Sequence, residues 1–205
     1  MDTTMRQNTA TQKIRGRQRG FSLVEVMIAI VVMTIGLLAV VASIATALSS
    51  TQSAQEDLIA RQKAREALES IYTARNSQQI PFASINNTSS GGIFWTGARP
   101  LLCAGPDGLV GTTDDVACTT TAGAPCPNSG VECMVLPGPD GILGTPDDLT
   151  MSLSNFSRTI TLGQVLLPDG SVNQALIAVT VSVSYTKDGL PPRTYTVNGL
   201  ISQFH

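Results

Sequence analysis

Residues 21–48 form an apolar segment of 28 residues in which Glu25 carries the single charge. A helix needs about 20 apolar residues to cross the roughly 30 Å hydrocarbon core of a bilayer, so this segment is long enough to span a membrane. A secretory signal peptide has a shorter apolar region, about 7–15 residues, and ends at a cleavage site of small residues. The segment therefore predicts a retained anchor in a lipid bilayer and not an ordinary cleaved signal.

Charge is distributed unevenly around this segment. Residues 1–20 hold five basic residues and one acidic residue, a net charge of +4, whereas the rest of the chain holds eight basic and fourteen acidic residues, a net charge of -6. Arg15, Arg17 and Arg19 lie directly before the apolar segment. By the positive-inside rule, this end stays in the cytoplasm and residues 49–205 are exported.

Composition excludes several classes of function. The sequence has one histidine, His205, so no zinc site with two histidine ligands can form within this chain. The net charge is -2 over 205 residues, which argues against a dedicated nucleic-acid-binding domain because such domains are strongly basic. We therefore expect no nucleic-acid partner.

Glu25 is the informative residue of the apolar segment. A charged residue at the centre of a membrane helix is costly, about 2.5–3.5 kcal/mol for Asp, Lys or Arg on insertion scales. One interpretation places the Glu25 carboxyl near the end of the span, where it reaches the interface. The other gives Glu25 a cationic partner within the lipid. We favour the second, because ionisable groups inside a membrane are functional by default.

Residues 19–25, Arg-Gly-Phe-Ser-Leu-Val-Glu, resemble the N-terminal signal of type IV prepilins and type II secretion pseudopilins. The resemblance implies that a prepilin peptidase cleaves between Gly20 and Phe21, and that Phe21 becomes the N-methylated first residue. It also implies that Glu25 guides assembly by pairing with the amine of a neighbouring subunit. The run Ile-Gly-Leu-Leu-Ala at 35–39 resembles more particularly the PilV-type minor pilins, also described as pilus modification proteins.

For function, the resemblance implies a structural subunit and not an enzyme, namely a minor pilin that acts in assembly or modification of a type IV pilus. The implied partners are the prepilin peptidase, other major and minor pilins, the inner-membrane assembly platform and the lipid bilayer. The implied location is the bacterial inner membrane, with one span and a periplasmic head, and then the fibre. Three alternatives stay open: a minor pseudopilin of type II secretion, a membrane-anchored exported hydrolase, and an adhesin or DNA-uptake pilin.

Residues 49–75 contain mostly good helix formers and no Gly or Pro. Apolar residues recur there at spacings of three and four, which is the period of an amphipathic helix. They are Ala60, Ala64, Ala67, Leu68 and Ile71. Charged residues fall largely on the other side and are interpreted as a solvated face; they are Glu56, Asp57, Arg61, Arg65, Glu66 and Glu69. We predict one helix over residues 21–75, half in lipid and half packed on a globular head.

Three strands are predicted at residues 157–162, 175–185 and 194–201, with turns at 168–170 and 187–189. The expected fold class is α+β and pilin-like, with a long N-terminal helix packed on a small C-terminal antiparallel sheet and a long loop region between them. The predicted divisions are a cleaved leader (1–20), a transmembrane half-helix (21–48), an amphipathic half-helix (49–75), a variable loop region (76–155) and the sheet (156–205).

The loop region contains a twelve-residue repeat with a period of 33 residues. The segment GPDGLVGTTDDV at 105–116 matches GPDGILGTPDDL at 138–149 in eight of twelve positions. Each copy supplies three carboxylates, and calcium takes six to eight oxygen ligands, so one interpretation is a pair of calcium loops. The other is a pair of Pro-Asp-Gly turns followed by Asp-capped turns. The carboxylates concerned are Asp107, Asp114, Asp115, Asp140, Asp147 and Asp148.

Four cysteines lie in the loop region, at Cys103, Cys118, Cys126 and Cys133. Export to an oxidising compartment favours disulfides, and four cysteines allow three connectivities. We favour pairing between sequence neighbours, Cys103 with Cys118 and Cys126 with Cys133. A zinc site is the alternative, although no C-x-x-C pair and no nearby histidine is present.

Overall fold

Helix α1, Leu23–Asn76, is the longest element of the computed structural model, which describes residues 20–120, 123–186 and 191–204. It begins two residues later and ends one residue later than the predicted range of 21–75. The carbonyl of Ser22 accepts the amide of Val26 at 3.2 Å, so Ser22 stands at the N-cap position of the first turn. Beyond the other end, Gln78 has a left-handed backbone with φ of 58°, a conformation that ends helices.

The chain divides into two compact units, residues 1–50 and 51–205. In the described part of the first unit, every residue from 20 to 50 is exposed. Among the described residues, α1 is the one helix that is long and apolar enough to cross a membrane, judged by length and composition. An exposed apolar surface of this extent marks a membrane or protein interaction site.

The second unit buries one side of the C-terminal half of α1. The predicted apolar stripe is confirmed, because Ala60, Ala64, Ala67 and Ile71 are fully buried and Leu68 is partly buried. This stripe packs on the sheet that follows in the chain, and the two together enclose the core of the unit.

Six strands follow α1 in the described residues. They form a four-stranded antiparallel sheet in the order β1-β4-β5-β6 and a separate two-stranded sheet of β2 and β3. The strands are β1 (Arg99–Pro100), β2 (Cys133–Leu136), β3 (Leu149–Ser152), β4 (Phe156–Leu166), β5 (Val172–Tyr185) and β6 (Arg193–Ser202). The short helices are the two 3-10 turns Phe82–Ser84 and Thr88–Ser90, and α2 (Pro127–Gly130). The predicted α+β fold class is confirmed.

The second half of strand β5 buries every second residue, as its alternating sequence predicts. Val179, Val181 and Val183 are fully buried against the core. The residues between them project from the opposite face, where the hydroxyls of Ser182 and Thr196 form a cross-strand hydrogen bond of 2.9 Å. The sheet therefore has one apolar face and one face lined by small hydroxyl side chains.

The region predicted as loops and turns, 76–155, contains more regular structure than expected. Strands β1, β2 and β3 lie in it, together with the three short helices. Strands of two to four residues are too short for a period of two to be recognised in the sequence. The three predicted strands are all present and longer than expected, as β4, β5 and β6.

The predicted turn at 168–170 joins β4 to β5. The Gly170 amide donates to the Leu167 carbonyl at 2.9 Å, and Gly170 has a φ of 83°, a value that glycine adopts without strain. The Asp169 carboxylate accepts the Ser171 amide at 2.9 Å. The other predicted turn, at 187–189, lies outside the described residues.

Candidate functional site

The first candidate site is the N-terminal motif at the start of α1. Gly20 is exposed, and a Cβ at this position would meet no atom within 4 Å. Phe21 has 81% of its surface exposed and precedes the helix by two residues. The Gly20–Phe21 bond therefore lies in non-helical, exposed chain, which is the conformation that a peptidase needs to bind it.

Glu25 lies in the first turn of α1. The first amides of a helix have no acceptor within the helix, and they stabilise a negative charge at the N-terminus by about 0.3–1 kcal/mol. The Glu25 carboxylate makes no hydrogen bond or ion pair with another described residue, and no other charged residue occurs between 20 and 50. Within residues 20–50 the structure therefore offers Glu25 no side chain of complementary charge.

The four cysteines form two disulfides, Cys103–Cys118 and Cys126–Cys133, with Cα–Cα distances of 5.1 and 5.7 Å. This is the pairing that the sequence analysis favoured. The structure contains no free cysteine in its described residues, so the alternative of a zinc site with thiolate ligands is wrong. The disulfides close sequence separations of 15 and 7 residues.

The two copies of the repeat fold into loops of the same design, here named loop 1 (residues 105–116) and loop 2 (residues 138–149). In loop 1 the Gly108 amide donates to the Gly105 carbonyl at 3.0 Å, and in loop 2 the Gly141 amide donates to the Gly138 carbonyl at 3.0 Å. Each loop starts and ends at an antiparallel pair, Cys103 with Val116 for loop 1 and Leu136 with Leu149 for loop 2.

Each aspartate has the same local task in both loops. The Asp107 carboxylate accepts the Leu109 amide at 2.8 Å, and the Asp140 carboxylate accepts the Ile142 amide at 2.8 Å. Asp115 accepts the Gly111 amide at 2.8 Å, and Asp148 accepts the Gly144 amide at 2.6 Å. The carboxylates therefore cap the turns of their own loops.

The middle aspartates, Asp114 and Asp147, complete this pattern. Their carboxylates accept the amides of Asp107 and Asp140 at 3.3 and 3.4 Å. Among the described residues, no group of three or more acidic, histidine or cysteine side chains is arranged to hold a metal ion. The geometry agrees with the turn interpretation, and the calcium interpretation is the one that a melting measurement must test.

The carboxyl pKa values reflect the different surroundings of the acids. A hydrogen bond from the Thr112 hydroxyl lowers the pKa of Asp114, and one from the Thr145 hydroxyl lowers the pKa of Asp147. Burial raises the pKa of Asp107 and of Asp115 in loop 1. Loop 1 is therefore partly desolvated by the rest of the head.

A partly buried ion cluster joins α1 to the loop region, and the sequence analysis missed it. The Lys63 ammonium donates to Glu66 at 2.8 Å and also to Glu132. Burial lowers the pKa of Lys63, but hydrogen bonds and charges of the two glutamates act against burial, and the pKa is raised overall. Lys63 lies three residues after Ala60 and four before Ala67, so its position in the apolar stripe was the available signal.

Comparison with known proteins identifies one region of the chain. Residues 15–41 match the family model described as the prokaryotic N-terminal methylation motif. No curated protein and no solved structure matches the chain. The motif supports the type IV pilin and pseudopilin family, and it implies processing by a prepilin peptidase and assembly with other pilins. The exposed apolar helix from Leu23 onward fits a membrane-anchored protein of this kind.

Proposed function

We propose that this chain is a minor pilin subunit, held in the bacterial inner membrane with its N-terminus cytoplasmic and then incorporated into a type IV pilus. There it assists assembly of the fibre or modifies it. The observation that carries the proposal is the position of Glu25, four residues after Phe21 on an exposed, mostly apolar helix surface that is otherwise uncharged up to residue 50. A carboxylate in that setting needs a cation, and the N-terminus of a processed chain provides one.

Cleavage after Gly20 supplies this cation in a controlled way. It removes a leader with a net charge of +4 and leaves the Phe21 amine as the only basic group up to residue 50. Removing one partner of a buried ion pair costs about 3–5 kcal/mol. Subunits whose amine meets the Glu25 carboxylate of a neighbour are therefore favoured over subunits that are displaced along the fibre axis.

The loops of the head are compatible with the structural role that we propose. Its six loop aspartates are occupied as acceptors for backbone amides, and two disulfides brace the same region. Rigid, cross-linked loops on an exported domain suit a subunit that must survive outside the cell. The run at 35–39 favours a pilus over a type II secretion pseudopilus.

The first test is the N-terminus of the mature protein. Intact mass spectrometry of sheared surface fibres should show a chain that begins at N-methylated Phe21. Gly20→Leu should leave the protein uncut in the membrane. Because a side chain at position 20 meets no atom within 4 Å, the loss of processing would be due to the peptidase and not to misfolding. Fibres that contain residues 1–20 would contradict the proposal.

The second test removes the charge. Glu25→Ala should insert into the membrane as well as the wild type, because a costly carboxyl is gone, but its amount in fibres should fall by roughly a hundredfold, the equivalent of about 3 kcal/mol. Thr34→Ala is the matched control, since the Thr34 hydroxyl only bonds the Val31 carbonyl of its own helix, at 2.8 Å. Recovery of the chain with secretion components in place of pilus fibres would identify the pseudopilin alternative.

A further inference from the structure

Loop 1 and loop 2 share a fold but differ in what surrounds their tips. The two aliphatic residues at the tip of loop 1, Leu109 and Val110, are 0% and 8% exposed. The matching residues of loop 2, Ile142 and Leu143, are 60% and 62% exposed. The loop design therefore presents two neighbouring aliphatic side chains, and in loop 1 the chain itself buries them.

The surroundings of loop 1 show which kind of surface this loop fits. The Gln79 amide group donates to the Asp107 carbonyl at 2.6 Å, and the Trp95 amide donates to the Gly111 carbonyl at 2.9 Å. A Cβ at Gly111 would lie 2.6 Å from Cδ1 of Ile160. Loop 1 thus sits in an apolar socket with polar groups at its border.

A buried cation lies near this socket. Arg158 is 3% exposed, and its Nε atom would lie 3.8 Å from a Cβ at Gly111, the residue whose amide Asp115 accepts. Burial lowers the pKa of Arg158 and raises the pKa of Asp115, and the attraction between the two charges opposes both shifts. Loop 1 therefore combines two buried aliphatic tips with a buried arginine beside its backbone.

Loop 2 has the same groups without the surroundings. Cβ atoms placed at Gly141 and Gly144 would meet no atom within 4 Å. Asp140 and Asp147 of this loop are exposed, and the loop contains three aspartates and no basic residue. Loop 2 therefore lacks the apolar cover of loop 1 and presents negative charge at its surface.

We propose that loop 2 is a docking element that inserts Ile142 and Leu143 into an apolar socket on a different subunit of the same assembly, with an arginine or lysine of that subunit beside the exposed carboxylates of Asp140 and Asp147. This inference rests on the proposed function, since that supplies the assembly. A second copy of this chain cannot provide the socket, because among the described residues loop 1 already fills it with Leu109 and Val110.

The test is site-specific photocrosslinking of the full-length protein in the cells that produce it. A benzophenone amino acid at position 142 or 143 is compared with the same residue at Leu166, which is 63% exposed in the β4–β5 hairpin. Membranes and sheared fibres are analysed separately. Positions 142 and 143 should crosslink to one other subunit at least about tenfold more than position 166, through a peptide that contains aliphatic residues and an arginine or lysine.

Substitutions give an independent measurement. Ile142→Ser with Leu143→Ser should lower the amount in fibres at least about tenfold, since two side chains that become buried are lost. Leu166→Ser with Leu167→Ser, at positions that are 63% and 42% exposed, should have no effect. Ile142→Leu with Leu143→Ile should assemble normally, and the protease resistance of every variant should match the wild type, because exposed substitutions scarcely alter folding.

The outcomes separate the docking proposal from the proposed function. Equal crosslinking at 143 and 166, crosslinks to a second copy alone, or normal assembly of the double serine variant would each overturn docking. If the chain is found in fibres but positions 142 and 143 form no crosslink, the pilin function is retained and docking is rejected. Crosslinks from loop 2 to another subunit in membranes, with no chain in fibres, keep docking and remove the pilus role.

Discussion

Loop 1 and loop 2 are one local structure in two tertiary settings. Each loop begins with the same hydrogen-bonded turn, Gly105–Gly108 in loop 1 and Gly138–Gly141 in loop 2. In each, three carboxylates cap the turns, and an antiparallel pair closes the loop. Yet Leu109 is inside the core and its counterpart Ile142 is solvated. The comparison separates two kinds of interaction. Interactions within a dozen residues shape the loop, whereas long-range packing decides whether its aliphatic residues contribute to stability.

The largest expected difference is at the loop tips. Leu109→Ala should destabilise the head by about 2–5 kcal/mol, because it leaves a cavity in a packed core. Ile142→Ala should change the free energy of unfolding by less than about 0.5 kcal/mol, as expected of a solvated site. Urea unfolding of residues 51–205, which include every buried core residue of the described chain, measures both. Equal effects would show that loop 2 is also packed in solution.

The disulfides sharpen the comparison, because Cys103–Cys118 encloses loop 1 and Cys126–Cys133 lies outside both loops. Chain-entropy estimates give about 3 kcal/mol for a closed loop of 15 residues and about 2.4 kcal/mol for 7. Replacing each pair by serine should therefore lower stability by these amounts, with the larger loss at Cys103. A larger loss from the Cys126 pair would show that loop 1 is positioned by packing alone.

Glycine-to-alanine pairs isolate the contribution of packing from that of backbone conformation. Gly111 and Gly144 have φ values of 85° and 91°, so alanine at either carries a similar strain of about 1–2 kcal/mol. Gly111→Ala adds a clash with the buried Ile160 side chain, whereas Gly144→Ala meets no atom within 4 Å. We expect Gly111→Ala to cost a further 1–3 kcal/mol or so. Equal unfolding midpoints for the two variants would contradict this.

Calcium should have the smallest effect, because the carboxylates of both loops already accept their own amides. Binding at one hundred times the dissociation constant would add about 2.7 kcal/mol, a shift in Tm of roughly 5–10 °C for a domain of this size. We expect a shift below about 1 °C between calcium and chelator, in oxidised and in reduced protein. A shift in the larger range, abolished by Asp114→Asn with Asp147→Asn, would establish calcium sites.

Much of the architecture was predictable because its signals are local. The period of Ala60, Ala64, Ala67 and Ile71 identified the side of α1 that is buried. Alternation identified β5, and short sequence separation identified the disulfide partners. The Gly20–Phe21 junction and Glu25 carry a motif of contiguous residues, so their recognition required no tertiary information.

Other features could not be predicted because they join residues that are distant in the chain. Lys63 donates to Glu132, which is 69 positions away in the chain, and no sequence pattern near Lys63 predicts that partner. Asn87 likewise reaches Ile160 and Leu162 of β4 with its side-chain amide, at 2.8 and 2.9 Å. Such contacts depend on how the loop region folds over the sheet, and 76–150 has no periodicity from which that path follows.

The sequence by itself determined the long apolar segment, the N-terminal motif and the repeat that makes loop 1 and loop 2 alike. Each of these depends on residues within about 30 positions, whose hydropathy, charge and backbone preferences act over short range. The tertiary structure alone decided that Leu109 is buried and Ile142 is exposed, although their loops are identical in eight of twelve positions. Burial is a property of what packs against a residue, and that is set by the whole head.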